Sequence, residues 1–146
     1  TLAPGQVKAD EYSVIYYTGG HGVMYDFAEN QALQELARKI YEKGGIVAAV
    51  CHGVVGLLSI KLSNNCLLLK GRKVTGFSNI EEKLAELDDK VPFLTENELV
   101  ARGGEYSKHD EPWKPYVVDD DRLITGQNPA STALLAETVL KKLKGT

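Results

Sequence analysis

The sequence predicts an α/β fold layered around a largely parallel sheet, and three features carry that expectation. Strand-like and helix-like periodicities alternate from Tyr12 to Leu143. Ile46-Val47-Ala48-Ala49-Val50 is an unbroken apolar run, as expected of a parallel strand buried on both faces. The first two strands also end in turns made from glycine or cysteine, at the carboxyl edge where open α/β sheets bind ligands.

The elements follow in order. Tyr12–Tyr17 is rich in β-formers and stops at Gly19-Gly20, so it reads as a strand. From Glu29 to Lys43, Leu33, Leu36, Ala37 and Ile40 recur at helical spacing, and Gly44-Gly45 closes the helix. The Ile46–Val50 strand leads into Cys51, and a helix is expected from His52 to Leu62. Arg72–Phe77 is a further strand. Helices are expected over Ile80–Leu87 and Thr95–Ala101, the second with Thr95 and Glu98 in capping-box spacing. Tyr116–Val118 and Arg122–Thr125 form two strands around Asp119-Asp120-Asp121, and an amphipathic helix runs from Pro129 to Leu143.

Composition narrows the classes of function. The 146 residues suit one domain, with 43% hydrophobic and 25% charged residues. Seventeen basic and twenty acidic side chains give a net charge of -3, which offers neither a footprint for nucleic acid nor a polybasic membrane anchor. Its apolar runs are too short to span a bilayer. A cytoplasmic location is expected, with Cys51 and Cys66 as free thiols.

Cys51 is the candidate reactive centre. It lies between a buried strand and a helix, where amides at a helix start favour an anion, and it is expected to be an activated thiolate. Gly53 and Gly56 suit a tight turn there. His52 is a candidate base, and Glu81 or Glu82 could orient it. The plainer alternative is an inert core cysteine followed by a capping histidine. Gly19-Gly20-His21-Gly22 adds backbone amides suited to an oxyanion hole, although glycine-rich loops are common and this one lacks dinucleotide-binding spacing. Cys66 reads as a packing residue and His109 as a solvated one. Three histidines without ligand spacing give no support for a metal site.

Four segments then occur in one order: Tyr17-Thr18-Gly19-Gly20-His21-Gly22-Val23-Met24-Tyr25-Asp26, Ala48-Ala49-Val50-Cys51-His52-Gly53, Val74-Thr75-Gly76-Phe77 and Leu123-Ile124-Thr125-Gly126-Gln127-Asn128-Pro129. Together they closely resemble the PfpI superfamily, in its branch of glyoxalase III-like proteins and heat-shock chaperones. The resemblance implies a flavodoxin-like three-layer sandwich. It also implies a cofactor-free enzyme with a triad of Cys51, His52 and Glu82, Glu81 being the competitor for the third place. The amides of Gly20 and His52 would hold an oxyanion, with His21 and Gly53 lining the substrate site. Thr18 and Val54 stand where relatives often carry proline, and both suit a turn.

The implied reaction is glutathione-independent conversion of a 2-oxoaldehyde such as methylglyoxal to a 2-hydroxy acid such as D-lactate. A stress holdase and a deglycase or peptidase are the alternatives. The family also begins with a strand and helix bearing a glutamate that bonds the nucleophilic sulfur, and nothing before Tyr12 matches them. The chain is therefore expected to be the carboxyl-terminal part of a longer domain. Its expected partners are that segment, as a separate or cleaved chain, and a second copy in a homodimer.

Overall fold

The computed structural model describes residues 1–145. Its centre is a four-stranded sheet in the order β1 (Val14–Tyr17), β2 (Ile46–Val50), β6 (Leu123–Gly126), β5 (Val117–Asp120). β1 and β6 both run parallel to β2, whereas β5 is antiparallel to β6 across the acidic turn. A smaller parallel pair joins β3 (Lys73–Val74) to β4 (Glu105–Tyr106).

β2 has the burial that its composition predicts, with all five residues inside. Strand alternation divides them between two cores. Val47 and Ala49 join Ala37 and Tyr41 of helix α1 (Gln31–Glu42) on one face. Ile46, Ala48 and Val50 meet Leu135 and Val139 of helix α4 (Thr132–Leu143) on the other. Helix, sheet and helix make a three-layer α/β sandwich. β1 lies at the sheet edge, with Val14, Ile15 and Tyr16 half-buried. Among the described residues, no helix is long and apolar enough to cross a membrane.

Helix starts are set by side chains that satisfy free amides. At α1, Asn30 accepts from the Leu33 amide. At helix α2 (Asn79–Leu84), Ser78 and Glu81 form a reciprocal capping box. The box expected at Thr95 is absent: helix α3 (Thr95–Ala101) is capped from Leu94, and Thr95 is buried within its first turn.

Two longer elements are replaced by tighter local structure. Cys51–Leu57 is a 3₁₀ helix instead of the start of an α-helix reaching Leu62. Gly53, Val54, Val55 and Gly56 are poor α-formers, and three residues per turn direct Val54 and Leu57 into the core. The Arg72–Phe77 strand shrinks to Lys73–Val74 because the following residues bond elsewhere. The Thr75 amide donates to Thr125 Oγ1 at 2.9 Å, and the Phe77 amide donates to the Cys51 carbonyl at 3.4 Å. β4 carries no apolar alternation and is set by its pairing with β3.

The Cys51 turn packs directly on the end of β1. A Cβ added to Gly53 would lie 2.4 Å from the Thr18 carbonyl oxygen and 2.5 Å from that of Tyr17. Both are backbone atoms with little room to move. Gly53→Ala is therefore expected to lower the urea midpoint by the equivalent of about 1–3 kcal/mol at unchanged slope. A midpoint equal to wild type would show that the turn has slack.

Candidate active site

Cys51 ends β2 with φ of 59°, the left-handed conformation that costs a residue with a Cβ of order 1–3 kcal/mol. The turn moves its side chain off the strand and against the following amides. The N–H groups of His52 and Gly20 direct toward the sulfur. Gly20 reaches this position with φ of 109°, which favours glycine. Amides so arranged at a sulfur could also stabilise an oxyanion.

His52 is fully buried beside the cysteine, with Nδ1 3.3 Å from Cys51 Sγ. Its Nε2 lies 2.6 Å from Glu82 Oε2. A carboxylate accepts, so Nε2 carries the proton and Nδ1 is left as an acceptor toward the thiol. Burial pulls the His52 pKa below its ordinary value despite the opposing hydrogen bond from Glu82. The residue is thus a neutral base near pH 7.

The thiol itself differs from the expectation. Burial pushes the Cys51 pKa up to about 11; the His52 and Gly20 amides oppose this, and the Glu81 and Glu82 charges add to it. The group is a thiol next to a neutral imidazole, not a preformed thiolate. A short 3₁₀ helix offers amides, but they do not outweigh a site only 7% exposed.

Glu81 and Glu82 are adjacent and both buried, yet they serve different neighbours. Glu82 faces the imidazoles. Glu81 faces away, accepting from Ser78 N and Oγ, the Trp113 amide and Asn128 Nδ2, all within 3.0 Å. Asn128 Nδ2 also donates to the Lys114 carbonyl. Glu81 therefore ties α2 to the 113–114 loop and to the turn after β6. In the sequence the Gln127-Asn128 pair stands out only within the fourth family segment. Two polar residues directly after a buried strand were the available signal.

His21 is the residue whose place the sequence least anticipated. Its Nε2 lies 2.6 Å from Glu82 Oε1, and its ring stacks 3.9 Å from that of His52. Two of the three histidines therefore meet, while His109 lies apart beside Glu111 and Tyr116. His21, His52 and Glu82 present ligand-type atoms within 4.8 Å of one another, a spacing that could admit a divalent metal. In this structure the Nε2 of each ring instead bonds the carboxylate. Phe77 floors the group, 4.2 Å from His52 between ring centroids. Gly53 stands apart from it, packed beneath the 17–18 backbone. Cys66, expected to be packed, is exposed in the 62–66 turn.

This geometry can be set beside known proteins. The model of the DJ-1/PfpI family matches residues 2–142. The chain belongs to the DJ-1/PfpI family. A glutathione-independent glyoxalase of Saccharomyces cerevisiae is 37% identical over 148 residues, covering 97% of this chain and 62% of that protein. The structure of a Francisella tularensis rapid encystment protein superposes with a TM-score of 0.94 at 40% identity, over 97% of this chain and 63% of the other. Candida albicans glyoxalase III superposes with a TM-score of 0.88 at 31% identity, over 95% and 60%. The chain spans about three-fifths of the length of each of these relatives.

Two measurements follow. Alkylation of the Cys51 peptide by iodoacetamide, followed by mass spectrometry, is expected to accelerate from pH 8 toward about 11. A rate already level at pH 7 would mean that the thiol ionises early. For Glu81, burial alone would raise the pKa, but hydrogen bonds from Asn128, Ser78 and Trp113 prevail and hold it below 4.5. Its contribution to stability is complete above 4.5 and is lost as pH falls through the lowered folded value. Glu81→Gln should therefore lower the urea midpoint at pH 7 and converge on wild type in acid, whereas a constant difference would contradict the assignment.

Proposed function

We propose that this chain carries a glutathione-independent glyoxalase site that converts methylglyoxal-type 2-oxoaldehydes to 2-hydroxy acids such as D-lactate. The observation that carries this reading is the Cys51–His52–Glu82 line, with separations of 3.3 and 2.6 Å and two amides at the sulfur. The names of the yeast and Candida relatives supply the substrate class.

The geometry suggests how the reaction starts. His52 Nδ1 accepts the Cys51 proton as sulfur attacks the aldehyde carbon, so general base action replaces a standing thiolate. The new oxyanion is held by the Gly20 and His52 amides. Glu82 orients His52 and stabilises the imidazolium. Proton transfer between the two carbons through an enediol then gives a thioester, which water releases as the acid. The chemistry is that of a lyase and draws on no cofactor. His21 belongs to the substrate side of this reading, whereas Gly53 supports the turn from beneath.

The exposed edge at β1 and the three-fifths coverage support further chain, from the same or a separate polypeptide, pairing with that strand. A homodimer and a cytoplasmic location complete the proposal.

The test is lactate formation from methylglyoxal without glutathione. Wild type is expected to form D-lactate, Cys51→Ala none above background, and Glu82→Gln about 10²-fold less in kcat. Equal rates for wild type and Cys51→Ala would refute the reading.

A further inference from the structure

Glu82 is shared by two imidazoles. Oε2 meets His52 Nε2 and Oε1 meets His21 Nε2, each at 2.6 Å. The carboxylate accepts, so each contact is held by a proton on Nε2. Three groups of metal-ligand type, two imidazoles and a carboxylate, thus bring one donor atom each within 4.8 Å of the others. A zinc ion bonded at about 2.0–2.2 Å spaces its ligand atoms by roughly 3.3 Å, so each contact opens by only about 0.7 Å to admit one. Glu82 and His52 are held in the interior, whereas the His21 side chain, 37% exposed, has room to shift.

The charge of the setting favours a divalent cation. Glu81 and Glu82 are adjacent and buried. Glu82 meets the two histidines, and Glu81 accepts from Ser78, Trp113 and Asn128. None of these partners carries a permanent positive charge. Two carboxylates in poorly hydrated surroundings attract a cation far more strongly than the same pair in water. Two imidazole nitrogens beside one carboxylate also select zinc over magnesium or calcium, which prefer oxygen ligands throughout.

We propose that His21, His52 and Glu82 form a zinc site, and that the ion bound there switches off the Cys51–His52 pair. Zinc binds through the Nε2 lone pair, which the Nε2 proton now occupies. That proton leaves and Nδ1 takes one up, so each ring stays neutral but changes tautomer. His52 Nδ1, 3.3 Å from Cys51 Sγ, then carries a hydrogen and no longer accepts the thiol proton. Glu82, engaged by the metal, no longer orients that imidazole through Nε2. The zinc site stands on the geometry alone, whereas its effect on turnover rests on the glyoxalase reading above.

The test uses the whole chain, free of affinity tags and carrying Cys66→Ser so that the exposed thiol does not compete. Zinc chloride is titrated against a chromophoric chelator, and cobalt(II) serves as a spectroscopic substitute. One zinc per chain is expected, with Cys51→Ala binding as tightly as the parent. Cobalt should give visible d–d bands without the near-ultraviolet sulfur-to-cobalt band of a thiolate ligand. His21→Phe, which keeps a ring against His52 and Phe77, and Glu82→Gln should each bind about 10²-fold more weakly. His21→Ala stands in if the phenylalanine variant fails to fold. Methylglyoxal turnover by the parent should fall along the zinc-binding curve and recover with EDTA. No saturable binding, a thiolate band that disappears in Cys51→Ala, or unchanged affinity in both the His21 and the Glu82 variants would overturn the site. Zinc binding with undiminished turnover would overturn the switch and leave the glyoxalase reading intact. Absence of lactate from the zinc-free parent would instead overturn the glyoxalase reading and the switch with it, while titrations that run as expected would uphold the zinc site.

Discussion

The left-handed turn at Cys51 is the constraint on which the rest of the site depends. A strand buried on both faces has no direction in which to present a side chain to substrate. The turn solves this by lifting one residue out of the strand line while its neighbours stay packed. Its strain is offset by close contacts that only glycine allows, at Gly19 against the Cys51 Cβ and at Gly53 against the backbone of Tyr17 and Thr18. The amide of Gly20, the ring of His52 and the carbonyl that receives the Phe77 amide all take their positions from that turn.

Around it the two neighbouring glutamates divide their work. Glu81 fixes position by satisfying donors from three segments, and Glu82 fixes the His52 tautomer by holding Nε2 and leaving Nδ1 to accept from the thiol. Adjacent residues on a short helix point to different sides, so structural and chemical tasks sit one residue apart. The raised thiol pKa and lowered imidazole pKa then favour neutral partners, which suits a proton moved during attack over charge held in advance.

Much of this was legible in the sequence, because Ile46–Val50, Cys51 and the Gly19–Gly22 loop each carry a local signal. The layered α/β architecture followed from periodicity, its three-layer form from the family resemblance, and β5 and β6 from the acidic turn between them. Long-range contacts were not legible. His21 and His52 are 31 residues apart and meet only because β1 and β2 are parallel neighbours whose ends share one edge. The choice between Glu81 and Glu82 depends on helix phase within one turn, which spacing alone does not resolve. The thiol pKa depends on how much water the finished fold excludes, and no local pattern encodes that. Thr95 and Glu98 show the converse, since the capping-box spacing goes unused in a helix that begins one residue earlier, at Thr95 itself.

The strand order also has a temporal meaning. β2 lies between β1, made before it, and β6, made well after it. As the chain leaves the ribosome, β2 therefore has one exposed flank until the closing hairpin of β5 and β6 inserts beside it. Val50 pairs with Gly126, so the residue just before Cys51 waits on a partner 76 positions downstream. Cys51 is thus translated well before the strand that completes its surroundings. A truncated product would display this strand without the neighbour that gives its chemistry a setting.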